Sequence, residues 1–328
     1  MVKYIFIFLA IPFFSCNRYK TTGTIERSDP AFNTIVDENA KVEIIGSGYD
    51  WSEGPVWVES EKMLLFSDVP TNKVYKWTEE KGAELYLTPS GYTGTVPRGG
   101  EMGSNGLTLN KDNKLVLCQD GNRQIAWMDA AWSDPKPVFK VIADNYKSKK
   151  FNSPNDLIYR SNGDLFFTDP PYGLEKNMND PLKELPFQGV FCIKASGEIK
   201  LLTDSVTRPN GIAITPDEKT LIIANSDPDK PIWYAYDIAD NDSLVNARIF
   251  YDATEASKKE SGSPDGFKID KSGNVYASGP GGIWIFDKNA KVLGKIKIPG
   301  AVSNCALTAD EKTLFITADM YVLRLKMR

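Results

Sequence analysis

The sequence predicts an all-β fold, a six-bladed β-propeller with four-stranded blades, and three observations carry that reading. Short apolar stretches alternate with Gly, Asp and Asn turns along the chain. One polar signature, set just before an apolar strand, recurs six times at near-regular spacing. No long helical periodicity interrupts the pattern, which argues against an α/β barrel.

The first unit runs from Glu53-Gly54-Pro55 into the strand Met63-Leu64-Leu65-Phe66. The second opens at Ser104-Asn105-Gly106 and the third at Ser153-Pro154-Asn155-Asp156. Pro209-Asn210-Gly211, Pro264-Asp265-Gly266 and Ser303-Asn304-Cys305 open the remaining three. Steps between the polar residues are 52, 50, 55, 55 and 39 residues. Each step has room for about four short strands, as a propeller blade requires. The last unit has room for only three strands before Arg328, and Lys41-Val42-Glu43-Ile44-Ile45 is a strand without a blade. That segment is expected to complete the last blade and close the ring, removing two exposed edges. Residues 36–328 then form one propeller domain.

Ahead of it stand Lys3, an apolar run from Tyr4 to Phe14, and Ser15-Cys16. This pattern predicts a lipoprotein signal at residues 1–15, lipid on Cys16, and a flexible tether over residues 16–35. The expected location is a bacterial membrane, on its periplasmic or cell-surface side, with membrane contact only through the lipid. Of the remaining cysteines, Cys118 and Cys192 lie in apolar strand-like runs and Cys305 follows Asn304. Buried free thiols are expected, although an oxidising compartment permits one disulfide.

Composition narrows the chemistry. The 328 residues carry 39 Lys and Arg against 43 Asp and Glu, a net charge of −4 without a basic block, so no nucleic-acid partner is expected. There is no histidine. Ser-His-Asp and Cys-His pairs, His-bearing metal sites and imidazole bases are therefore excluded. The repeat places six polar side chains around one end of a central channel. Two are carboxylates, Glu53 and Asp265, and four are amides, Asn105, Asn155, Asn210 and Asn304. Such hard oxygens suit one divalent cation, Ca2+ foremost, with Mg2+, Mn2+ or Zn2+ as alternatives.

These motifs, with Thr168-Asp169-Pro170-Pro171-Tyr172-Gly173 and Gly279-Pro280-Gly281-Gly282-Ile283-Trp284, make the chain resemble a known family. It is that of senescence-marker protein, gluconolactonase and luciferin-regenerating enzyme, and the resemblance is to its bacterial gluconolactonase branch. It spans about residues 40–328 and implies a six-bladed propeller with one catalytic divalent ion in the channel. It implies metal ligands at Glu53, Asn210 and Asp265, with Asn155 as a fourth ligand or a substrate contact. For Asn105 it suggests a substrate role. Where several relatives carry a His-Gly-Asn-Arg run, this chain has Gln119-Asp120-Gly121-Asn122-Arg123. That leaves Asp265 as the expected base.

The implied reaction is hydrolysis of a small-molecule sugar lactone, a gluconolactone-like aldonolactone, by metal-polarised attack of water. Two long insertions, 88–102 and 172–188, are expected over the channel mouth, offering Arg98, Glu101 and Tyr172 to substrate hydroxyls. Two other readings use the same features. One is a non-catalytic surface propeller that binds glycans or proteins, and the other a metal-dependent esterase or phosphotriesterase.

Overall fold

Alternating β-branched and aromatic residues carry nearly half of the described residues into strand, and the computed structural model describes residues 19–328. The expected signal at 1–15 and the lipidation site Cys16 lie outside the described residues. Blade 1 consists of Ser52–Val58, Met63–Asp68, Lys73–Thr78 and Gly82–Leu87, each strand antiparallel to the next. Blade 2 runs Ser104–Leu109, Leu115–Gln119, Gln124–Met128 and Phe139–Ala143. Blade 3 runs Leu157–Tyr159, Leu165–Asp169, Gly189–Ile193 and Ile199–Thr203, and blade 4 runs Pro209–Ile214, Thr220–Asn225, Ile232–Ile238 and Leu244–Asp252. Blade 5 is Phe267–Ile269, Val275–Gly279, Gly282–Phe286 and Val292–Lys297.

Blade 6 closes the ring as the sequence predicts. Asn304–Leu307, Thr313–Ala318 and Tyr321–Lys326 come from the end of the chain, and Val42–Ser47 supplies the fourth strand. Leu323 pairs with Ile44 and Leu325 with Val42. Around the axis, each innermost strand touches its neighbours, with Ser52–Val58 meeting both Ser104–Leu109 and Asn304–Leu307.

The stretch expected to be a free tether is instead built into the propeller from Thr21 onward. Thr21–Thr22 adds a fifth strand outside Val42–Ser47, and Thr24–Arg27 adds one outside Val292–Lys297. Arg27 then bonds Asn33 Oδ1 at 2.7 Å and the carbonyls of Val36 and Asp37 at 3.0 and 2.6 Å. Phe32 is fully buried between blades 5 and 6. The physical reason is edge pairing. Two outermost strands offer free backbone groups, and a polar segment with few apolar residues satisfies them through main-chain bonds alone.

Apolar burial is divided among six clusters in the described residues, one at each blade interface. Phe167 and Phe191 stack between blades 2 and 3 with Phe151 edge-on to both, and Trp284 and Phe286 stack between blades 4 and 5 with Trp233 edge-on to Phe286. Cys118, Cys192 and Cys305 are buried and free, each in a different interface, which settles the cysteines as packing residues.

Near the axis a second set of bonds joins the blades. Ser67 of blade 1 donates to the Asn105 carbonyl at 2.9 Å, and Thr168 of blade 3 to the Asn210 carbonyl at 2.6 Å. The Ser303 hydroxyl of blade 6 reaches the Ser52 carbonyl at 2.7 Å. Thr168 also accepts from the Asp156 N–H at 3.2 Å. Thr168→Val keeps the shape and leaves both backbone groups unpaired in a dry site. It should lower the unfolding free energy in urea by about 1–3 kcal/mol. An unchanged midpoint would show that the hydroxyl contributes nothing.

Candidate active site

Glu53, Asn105 and Asn210 sit in the first residues of innermost strands where the ladder is irregular, and Asn155 and Asp265 lie two residues ahead of theirs. Pairing shifts register between Glu53 and Val56, between Ser104 and Leu107, and between Pro209 and Ile212. Such bulges bend the strand and re-aim one side chain, here Glu53, Asn105 and Asn210. The following residue has no room for a side chain. At Gly54 a Cβ would lie 2.0 Å from the Asn105 carbonyl oxygen, and φ is +55°; at Gly211 it would lie 2.2 Å from that of Asp265.

Glu53, Asn105, Asn155, Asn210 and Asp265 line one cavity of about 350 Å³. Glu101 and Tyr172 line it as well, so seven of the residues singled out in the sequence come together. Glu53, Asn105, Asn155 and Asn210 are buried, whereas Asp265 is partly exposed. Glu53 Oε2 and the Oδ1 atoms of Asn105, Asn155 and Asn210 are enclosed without a hydrogen-bond donor. Tyr172 is held by a hydrogen bond between its hydroxyl and Ser226, which also accepts from Asn210 Nδ2 at 3.4 Å.

Arg98 is placed elsewhere. It does not line this cavity; its guanidinium bonds the Gly121 carbonyl at 3.0 Å and the Gly173 carbonyl, and packs over the Tyr92 ring at 5.5 Å. With the Gly99 N–H donating to Glu175 at 2.9 Å, it clips the two long insertions together. A loop arginine is better satisfied by two carbonyls within reach than by facing an open mouth. The cavity also contains Trp51, Arg208, Ser226 and Ser263, none of which stood out in the sequence. Arg208 and Ser263 lie two residues before Asn210 and Asp265, so their distance from the repeated position was the available signal. Asp156 and Lys268 lie behind the site, Asp156 at a step where blades 1, 2, 4 and 5 carry glycine.

Electrostatics around the axis are unusual for exposed carboxylates and ordinary for crowded buried ones. Burial, then the neighbouring charges of Glu53, Asp156 and Glu101, raises Asp265 well above the carboxylate range. Glu53 is raised chiefly by burial as well, partly offset by the nearby Ser303 and Asn304 side chains. Burial alone pushes Glu101 up to about 7.

Hard oxygens that lack a donor, beside two carboxylates that repel one another, are a donor set suited to a divalent cation. The described residues hold no grouping of three or more His, Cys, Asp or Glu side chains suited to a metal. A cation here would therefore depend on amides as well as carboxylates, and the free Oδ1 atoms of Asn155 and Asn210 fit that need.

The raised acids make stability fall with pH. Between about 4.5 and 7 folded Glu101 keeps a proton that the unfolded chain releases, so rising pH favours unfolding. In chelator, the melting midpoint should drop across that window, and Glu101→Gln should flatten the slope. A slope untouched by the substitution would show that Glu101 titrates normally.

Comparison with known proteins agrees with this architecture. The family model described as SMP-30/Gluconolactonase/LRE-like region matches residues 51–319. A gluconolactonase of Zymomonas mobilis subsp. mobilis is 40% identical over 321 residues, covering 94% of this chain and 87% of that protein. A gluconolactonase structure from Xanthomonas campestris superposes with a TM-score of 0.80 at 28% identity, covering 94% of this chain and 97% of the other. The structure of a calcium-binding protein, regucalcin, from Agrobacterium tumefaciens shares the fold, with a TM-score of 0.65 at 15% identity, covering 86% of this chain and 92% of the other. The chain thus belongs to the SMP-30/gluconolactonase/LRE-like family.

Proposed function

We propose that this protein is a lactone hydrolase that opens a gluconolactone-like aldonolactone with the help of a divalent cation, Ca2+ foremost. One observation carries the reading: five repeated polar residues from five blades share one cavity, and four of their oxygens are buried without a donor. Similarity to gluconolactonases supports the substrate class. Polar groups of Glu101, Tyr172, Arg208, Ser226 and Ser263 in the lining suit a hydroxylated ligand better than the apolar ester of the esterase reading.

Glu53, Asn155, Asn210 and Asp265 would hold the cation. Bound there, it supplies positive charge where the lactone carbonyl oxygen gains negative charge as the reaction proceeds. The remaining work falls to side chains. Asp265, partly exposed at the cavity, takes a proton at its carboxylate from the attacking water. The water oxygen bonds the carbonyl carbon, the bond from that carbon to the ring oxygen breaks, and Asp265 returns the proton to that oxygen. The products are a free hydroxyl and a carboxylic acid, which ionises in water. Asn105, Tyr172 and Arg208 orient the ring hydroxyls, and the clipped insertions exclude bulk water.

Lys3, the apolar run to Phe14 and Ser15-Cys16 support export and lipid attachment at Cys16, with the enzyme facing the periplasm or the cell exterior. The propeller would then sit close to the membrane, because its strands begin at Thr21.

Asp265→Asn should lower the hydrolysis of glucono-1,5-lactone, read by acid release, at least about 100-fold with the fold retained. Turnover near wild type would remove Asp265 as the base. Chelation should silence the wild-type protein and added Ca2+ restore it. Activity indifferent to chelator would refute the role of the cation.

A further inference from the structure

Five of the six repeated polar residues face the cavity, and the sixth does not. Asn304 is fully buried, lies outside the cavity lining, and has both ends of its amide occupied. Its Oδ1 accepts from the Cys305 N–H at 2.9 Å and from Lys268 Nζ at 3.3 Å. Two donors on the oxygen fix the amide's orientation, so Nδ2 is the end that meets Glu53. It donates to Glu53 Oε1 at 2.9 Å, and Asp156 Oδ2 lies 3.5 Å from the same nitrogen. Lys268 Nζ is 3.9 Å from Asp156, which sets a positive charge behind that second carboxylate. Gly266 makes room for the amide, since a Cβ there would fall 1.9 Å from Asn304 Cγ.

The consequence appears at Glu53. One of its oxygens is taken by Asn304, and the other, Oε2, is buried at the cavity with no donor. A glutamate without such a partner keeps three side-chain torsions and two equivalent oxygens. Fastened at one oxygen, it presents the other at a single place.

We propose that Asn304 is a positioning residue, which takes up Glu53 Oε1 so that Oε2 stays directed into the cavity as a cation ligand. Lys268 and the Cys305 N–H hold the amide in the one orientation that can donate. The role rests on the reading of the cavity as the cation site of a lactone hydrolase. It differs from that of the other amides, whose oxygens are free, and it acts on the cavity through Glu53. Groups that orient a metal ligand in this way change metal affinity or activity by about 10–100-fold when removed.

The test uses the full-length protein stripped of metal by chelator. Asn304→Leu keeps the size and removes the donor, and Asn304→Ser carries a hydroxyl too short to reach Glu53. Both are titrated with Ca2+ by calorimetry and assayed on glucono-1,5-lactone over a Ca2+ series, with circular dichroism to confirm the fold. The expected result is Ca2+ binding weaker by about 10–100-fold in whichever variant folds. Activity should return at saturating Ca2+, a rescue that a merely structural defect would not show. Wild-type Ca2+ affinity in a folded variant, or lost activity that no Ca2+ concentration restores, overturns the proposal. Wild-type protein that binds Ca2+ yet opens no lactone overturns the functional reading and leaves the affinity comparison to decide the role of Asn304. Wild-type protein that binds no Ca2+ overturns both.

Discussion

The molecule depends on bringing six innermost strands into backbone contact around one axis. At that distance a side chain after Glu53 or Asn210 would strike the neighbouring strand, and Gly54 and Gly211 answer that restriction. Hydroxyls of Ser67, Thr168 and Ser303 then bridge from one blade to the backbone of the next. The carbonyls beside the axis are thereby satisfied, while the side-chain oxygens that face it are not. Leaving a buried acceptor unpaired costs about 1–3 kcal/mol for each atom. The six apolar interfaces can offset that cost, but they do not explain why the oxygens are there. A ligand that needs such oxygens does.

The parts of this arrangement that repeat were legible in the sequence. A polar residue before an apolar strand, met six times, gave both the number of blades and the convergence of Glu53, Asn105, Asn155, Asn210 and Asp265. Ring closure was legible for a complementary reason: Lys41 to Ile45 had strand character and no blade, and the last blade lacked a strand. The N-terminal strap was not. Thr21 to Arg27 pairs through its backbone along two sheet edges, and main-chain pairing of a polar segment leaves no hydrophobic alternation to read.

Asn304 marks a different limit. Ser303-Asn304 and Ser104-Asn105 are the same dipeptide at equivalent places in two blades, yet one amide faces the cavity and the other fastens Glu53. The difference comes from neighbours across the ring. Asp156 and Lys268 belong to blades 3 and 5, and no local window around Asn304 contains them. Arg98 shows the same limit from the opposite direction. It stood on an insertion expected at the mouth, and two carbonyls, one of them 75 residues away in sequence, hold it elsewhere. Sequence repetition locates positions on a ring; the partners at each position are set by what the other blades bring.

A chain without histidine must obtain a proton acceptor of useful strength by other means. An ordinary aspartate is a weak base near neutral pH, because its conjugate acid is too strong. Burial raises it, and so does a second carboxylate that cannot leave. Most folds avoid that combination because it is unfavourable. The propeller axis imposes it, since residues from separate blades are held there by strands whose pairing lies well outside the channel. Glu53 and Asp265 are kept close by blades 1 and 5 rather than by any attraction between them, and Asp265 feels Glu53, Asp156 and Glu101 together. The crowding that raises Asp265 also makes the site hospitable to a cation, whose charge would draw that carboxyl back toward its ionised, proton-accepting form, so one architectural constraint sets both the seat for an ion and the state of the acid beside it.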